Sequence, residues 1–395
     1  MNELSSHAHP FYAVAFTLAW WLTGCSSPVE LRYSSREDLK QLPEKHQKQI
    51  HASLEEYFGT ARFPKYLAVA PADQQPENAE QPKLVEKSPQ QHLLHGQQIY
   101  LNQCAGCHGV TGDGLGPAAQ YLDPPPRDYR LGKFKFTSTP RGVKPRHADL
   151  ERIIRRGAKG TSMPAFRWMA NDDLEAVIDY VRLLSSRGEL EFRLGQIAQS
   201  DLTEDDDVAA ALVAEQAQGI ALSWEEAEPQ IVRPLTREIT ATADTVAAGA
   251  KAFVQLNCYK CHGRDGQGNK SFNVGKDDWG RTVFAADLTA GTLHGGGRPI
   301  DIYRRIYSGI NATPMPAFAS PDAGKGETAE QRSDTIWHLT HFITAVAKGE
   351  PLPLDVIDAE IREQSKNQPA EGSNPAPPTT SAAADAQPTI ASQVK

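Results

Sequence analysis

The sequence predicts an all-α fold in which one small helical unit occurs twice. Three observations carry that expectation. Two long blocks of the chain match each other in order: Cys104-Ala-Gly-Cys107-His108 corresponds to Cys258-Tyr-Lys-Cys261-His262, and each is followed at similar distance by Met-Pro-Ala-Phe, at Met163 and at Met315. Apolar residues within each block recur at helical spacing. No convincing run of alternating apolar and polar residues announces a sheet.

The elements follow in chain order. Phe11 to Leu22 is an apolar run of 12 residues, too short to span a bilayer, which takes about 20. It suits the central region of a signal peptide over residues 1–24, although the segment before it lacks Lys and Arg and contains Glu3. Leu22-Thr-Gly-Cys25 then resembles a bacterial lipobox, which makes Cys25 the candidate lipidation site and predicts export with a lipid tether. An incidental cysteine in a buried helix is the plainer alternative. Residues 25–90 read as an N-terminal extension. Ile50, Leu54 and Phe58 sit at helical spacing with Gly59 as C-cap, and residues 71–90, rich in Pro, Gln and Glu, read as a linker.

Residues 91–187 form the first unit and 244–349 the second. Each opens with a helix pattern holding a glycine and an aromatic, Gly96 and Tyr100 or Gly249 and Phe253. After each His come matched glycines, 109, 112 and 114 against 263, 266 and 268. A helix near Asp149 or Asp301 ends at Gly157 or Gly309. Each unit closes on an apolar stripe: Leu174, Val177, Ile178, Val181 and Leu184 after the N-cap candidate Asn171, or Ile336, Leu339, Ile343 and Val346. Residues 188–243 hold 12 Asp and Glu against three Lys and Arg, whereas residues 91–187 hold nine against 14. This acidic connector reads first as a solvated linker, and alternatively as a segment folded onto the basic first unit. Residues 350–395, dominated by Pro, Ala, Ser and Thr, read as a disordered tail. The overall charge of -8 argues against a nucleic-acid partner.

Cys-x-x-Cys-His is the attachment pattern of c-type haem. Residues i and i+3 share a helix face, so Cys104 and Cys107, and likewise Cys258 and Cys261, present two sulfurs to one porphyrin edge. His108 and His262 follow as iron ligands. A ligating imidazole usually donates its other N–H to a carbonyl, and the Gly116-Pro117 region is the candidate acceptor in the first unit; the second unit offers no obvious one. Met163 and Met315, at matched positions and each followed by proline, are the expected second axial ligands, with Met169 a competitor to Met163. Bis-histidine ligation through His147 or His294 lacks a matched partner in the other unit. A thioether favours ferrous iron and fills the open position, which predicts one-electron transfer rather than chemistry on a small ligand. A zinc ribbon or a thioredoxin-like site is the other reading of Cys-x-x-Cys; neither explains a His and a Met in each copy.

These blocks, with Pro126-Arg-Asp128 and Ala286-Asp-Leu288, resemble class I c-type cytochromes, specifically tandem dihaem forms similar to the cytochrome subunit III of cbb-type haem–copper oxidases. The resemblance covers about half the chain. It implies a few short helices around each of two covalently attached haem c groups, with the first and last helices of each unit crossing near Tyr180 and Phe342. It also implies redox partner proteins, such as a membrane respiratory complex, and a non-enzymatic role as carrier or subunit on the periplasmic side of a bacterial membrane. The oxidase subunits usually carry a transmembrane anchor where this chain has its lipobox. The rival function is a dihaem cytochrome c peroxidase, which needs one iron with a displaceable ligand.

Overall fold

The computed structural model describes residues 31–75, 82–268, 272–320 and 326–367. Cys25 and the apolar run before it lie outside the described residues. From Tyr33 onward the chain forms one unit that contains both Cys-x-x-Cys-His motifs.

The architecture is mostly helical. In the first repeat, α2 (Gln90–Gln103) runs into the one-turn α3 (Ala105–His108), followed by a long loop, α4 (His147–Arg156) and α5 (Asn171–Ser200). The second repeat has the same order: α7 (Ala243–Gln255), α8 (Cys258–His262), α9 (Pro299–Ser308) and α10 (Ala329–Lys348). The remaining helices are α1 (Glu44–Phe58), α6 (Ala210–Ala227) and α11 (Leu354–Asn367).

In each repeat the first and last helices cross at the glycine of the first. A Cβ on Gly96 would lie 2.0 Å from the Ala176 carbonyl oxygen, and one on Gly249 would lie 2.1 Å from that of His338. The missing side chains let the helix backbones touch. Aromatic rings close each crossing, Tyr100 against Tyr180 at 5.4 Å and Phe253 against Phe342 at 5.1 Å. The apolar stripes are buried there: Leu174, Val177, Ile178 and Leu184 in α5, and Ile336, Leu339 and Val346 in α10.

The structure differs from the sequence reading outside the repeats. The acidic segment after residue 187 is not a solvated linker. Helix α5 continues to Ser200, and α6 packs back on it through Val213, Ile220 and Trp224, all buried. Trp224 donates from Nε1 to Ser186 Oγ at 3.0 Å and lies under the Arg182 guanidinium at 4.7 Å. The acidic groups are used locally. Glu189 pairs with Lys144, and its second oxygen with Arg193 at 2.8 Å; Asp207 pairs with Lys45 of α1 at 2.9 Å.

The N-terminal extension is folded as well. Ile50, Leu54 and Phe58 are buried, and α1 ends at Gly59, as the spacing predicts. The segment expected as a linker instead contains strand β2 (Leu84–Glu86), antiparallel to β1 (Leu67–Val69). Part of the presumed tail also folds: α11 seats Ile357, fully buried, in the second core. Gln364 donates to the Val254 carbonyl at 2.9 Å and Arg264 to Asp358 at 2.6 Å. Composition averages miss these elements because a helix needs only one apolar residue per turn to dock. Asn171 is the first helical residue rather than the N-cap, which is Ala170; its side-chain oxygen accepts from Arg155 at 2.5 Å.

Candidate haem centres

Each cysteine pair sits on a single helical turn directly after the first long helix of its repeat. In α3 the amides of Cys107 and His108 both donate to the Cys104 carbonyl, at 3.1 and 2.9 Å. The turn must then reverse, and Gly109 and Gly263 do so at φ 76° and 77°. Loop amides hold the motif in place: Gly114 donates to His108 O and Gly268 to His262 O, both at 2.8 Å. Tyr100 donates from its hydroxyl to Gly109 O at 2.8 Å, tying the first long helix to this reversal.

The four motif cysteines form no disulfide, and all are half-buried. Burial pushes Cys104 and Cys258 up to about 12, so both are neutral. A site built for an anionic thiolate would show the opposite shift. A thioether carries no charge and costs nothing to bury in these surroundings. The donor set therefore fits a covalently held porphyrin. Leu115, 72% exposed, is set between Gly114 and Gly116, whose amides bond to His108 O and Cys107 O, so a large apolar side chain stands bare beside the motif.

Both histidines are oriented alike. His108 Nδ1 lies 3.1 Å from the Arg127 carbonyl oxygen, and His262 Nδ1 lies 3.1 Å from that of Ala286. A carbonyl only accepts, so each ring carries its proton on Nδ1 and leaves Nε2 free for a metal. Burial lowers the basicity of both rings, which favours the neutral imidazole that ligation needs. The Gly116-Pro117 expectation is thus corrected. Gly116 packs on the end of α3, where its own amide donates to Cys107 O at 3.1 Å, and the imidazole turns to Arg127 instead. Arg127 and Ala286 lie in the matched blocks at 126–128 and 286–288, the one sequence signal that could have pointed to them.

The neighbours of the two rings differ. Tyr129 stacks on His108 at 4.8 Å and 21°. The Tyr129 amide donates to Gly112 O at 2.7 Å, and the corresponding amide, Leu288, donates to Gly266 O at 2.7 Å. An aromatic ring in one unit is therefore an aliphatic side chain in the other.

The methionine loops are built by one design. Gly157 and Gly309 end α4 and α9 with φ 66°, and a Cβ on either would lie 2.6 Å from the carbonyl oxygen of Met163 or Met315. Thr161 donates from Oγ1 to Ala158 O at 2.7 Å and accepts from the Met163 amide at 3.2 Å. Thr313 does the same with Ile310 O at 2.8 Å and the Met315 amide at 3.3 Å. Phe166 then donates to Ile154 O, and Phe318 to Ile306 O, at 3.0 and 3.1 Å. Met163 and Met315 thus share one local frame. Met169 sits outside it, past the loop, with its carbonyl accepting from Arg155 at 3.1 Å. His147 is engaged elsewhere, 2.8 Å from the Glu175 carboxylate.

Comparison with known proteins matches the same two blocks. The family model for cytochrome c oxidase, cbb3-type, subunit III covers residues 91–181, and the cytochrome c model covers residues 246–346. The chain is a tandem cytochrome c. It is similar to subunit III of cbb3-type oxidases and carries two covalently bound haem c groups. The cbb3-type cytochrome c oxidase subunits CcoP of two Helicobacter pylori strains, 26695 and 52, are each 26% identical over 195 residues. That alignment covers 49% of this chain and 43% or 42% of those subunits, so the tandem cytochrome spans less than half the length of the curated relatives it matches. A chain of the Kuenenia stuttgartiensis reducing HAO-like protein complex Kustc0457/Kustc0458 is 28% identical, with a TM-score of 0.48 over 64% of this chain and 95% of that one.

Proposed function

We propose that the tandem cytochrome is an exported one-electron carrier, or the electron-entry subunit of a respiratory complex, held at a membrane surface through Cys25. Haem-based electron transfer is what its two domains supply; the route, the partners and the tether are the proposal. Bound haem contributes a reversible one-electron couple at iron. In this reading Cys104, Cys107, Cys258 and Cys261 hold the two groups. His108 and His262 would each ligate an iron, and Met163 and Met315 would each supply a further ligand. The Arg127 and Ala286 carbonyls fix the imidazoles.

The observation that carries the reading is the shared frame of the two methionine loops. Two independent stretches of sequence reproduce the same glycine, threonine and phenylalanine contacts around one methionine. A core methionine needs no such frame. With a His and a Met for each iron, neither centre would keep a position for peroxide, which disfavours a peroxidase.

The similarity to cbb3-type subunit III supports a respiratory partner. Among the described residues no helix is long and apolar enough to cross a membrane. The tether is assigned to Cys25 on its Leu22-Thr-Gly-Cys25 pattern. The test is purification from gently solubilised membranes, beside a Cys25→Ser variant. The wild type is expected in the membrane fraction with a terminal oxidase or related complex, and Cys25→Ser in the soluble fraction. Steady peroxide turnover by the reduced protein, with one iron five-coordinate, would reverse the assignment.

A further inference from the structure

The two domains share an interface, and its contacts converge on one methionine loop. Arg141, at the tip of the long loop of the first domain, donates from Nη1 to the Met315 carbonyl at 2.6 Å and to Ile310 O at 3.4 Å. Its Nη2 donates to Thr313 O at 2.8 Å. The neighbouring Gly142 amide donates to Asn311 Oδ1 at 2.9 Å. The fork of one guanidinium thus spans three carbonyls of the turn that presents Met315. From the other side, the Asp278 amide donates to Ala312 O at 3.2 Å, and Lys133 reaches Asp278 at 2.5 Å.

The same stretch of the first domain begins at Arg127. Its carbonyl orients His108, and its guanidinium lies over the Trp279 ring of the second domain at 4.1 Å. Residues 127–142 therefore touch an axial residue of the first centre at one end and the loop of an axial residue of the second at the other.

We propose that Arg141 is a positioning residue for Met315, so that the first domain holds the second haem in its methionine-ligated state. This rests on the assignment of Met315 as an iron ligand. The physical reason is geometric. A planar fork binding three carbonyls fixes the turn as lysine, a point charge, cannot. With the fork gone, the Thr313 carbonyl loses its Arg141 partner, those of Ile310 and Met315 keep only bonds within the turn, and the loop samples conformations with the thioether away from iron.

The test uses the full holoprotein in a Met163→Ala background, where the sulfur-to-iron charge-transfer band of the ferric protein reports the second haem alone. Added imidazole displaces the methionine, and the midpoint of band loss measures how readily the loop opens. Arg141→Gln is expected to lower that midpoint about fivefold, the size of losing one well-placed hydrogen bond at an exposed site. Arg141→Lys should recover less than half of the shift. Lys133→Ala, which breaks the interface ion pair to the Asp278 carboxylate but no bond to the Met315 turn itself, should leave the midpoint within about twofold. An unchanged midpoint in Arg141→Gln overturns the proposal. So does full rescue by Lys, which assigns the effect to charge, or an equal shift in Lys133→Ala, which assigns it to the interface. Should Arg141→Gln fail to load two haems, a wild-type midpoint in Arg141→Lys overturns it instead. A Met163→Ala protein with no band at all removes the assignment of Met315 on which the proposal rests, whereas an unchanged midpoint with the band present overturns the clamp alone.

Discussion

Gly249→Ala tests the helix crossing on which the second domain depends. The added Cβ would stand 2.1 Å from the His338 carbonyl oxygen, 2.6 Å from its carbon and 2.8 Å from Phe342 Cβ. None of these atoms is the free end of a flexible side chain. Ordinary contact begins near 3.4 Å, so α7 and α10 must part by about 1 Å or more along that line. The separation disturbs Phe253 and Phe342, both fully buried. Overpacking of a core costs about 1–3 kcal/mol, and a backbone-limited clash belongs at the top of that range. For a domain of this size, about 3 kcal/mol lowers Tm by about 12 °C or more. The better helix propensity of alanine returns at most ~1 kcal/mol. The assay is thermal unfolding of the holoprotein followed by circular dichroism. Gly297→Ala serves as control, because a Cβ there meets nothing within 4 Å, and it should stay within about 0.5 kcal/mol. A Gly249→Ala protein melting within about 2 °C of wild type would refute the close crossing.

Three further outcomes are expected. Replacing Cys104 and Cys107 by alanine should reduce covalent haem from two groups per chain to one by pyridine haemochrome assay. The first domain should lose helical signal with it, since haem supplies much of a small domain's core; undiminished helicity would contradict this. Trp224→Ala should cost about 3–5 kcal/mol in chemical denaturation, because its buried ring packs under Arg182 and edge-on to Phe134; a loss below about 1 kcal/mol would return the acidic segment to a loose linker. Burial brings Lys135 down to about 8, with Arg127 adding to the fall and Asp277 opposing it. Its folded pKa lies below the unfolded value of about 10.4, so the unfolded chain binds more protons between the two. Stability relative to Lys135→Met should therefore rise as pH climbs from about 8 to about 10; a flat difference across that window would remove Lys135 as its source.

The haem-attaching residues were legible because their chemistry is local. Cys-x-x-Cys-His needs one helical turn and no tertiary partner, and the repeat extended the reading to Met163 and Met315. The carbonyls that orient His108 and His262 were less legible. Any residue supplies a carbonyl, so residue type gave no signal, and Gly116 was named for its proximity in sequence. Arg141 was invisible for a related reason. An arginine at a loop tip is usually solvated, and only the docking of two domains brings the Met315 carbonyls within its reach.

The connector shows the same division. Its excess of Asp and Glu reads as solvated because net charge is an average, whereas burial is decided residue by residue. Val213, Ile220 and Trp224 dock α6; Glu189 then finds Lys144 and Asp207 finds Lys45 across long separations in sequence, while Arg193 lies one turn from Glu189. The repeat, the all-α class and the residues proposed to hold each haem could be read from sequence alone, since covalent and short-range patterns need no knowledge of the rest of the chain. The tertiary structure alone decided how each histidine is held, that α1, α6 and α11 complete the two domains, and that the first domain grips the methionine loop of the second. Those contacts join residues far apart in sequence, and their free energy exists only once the chain is folded.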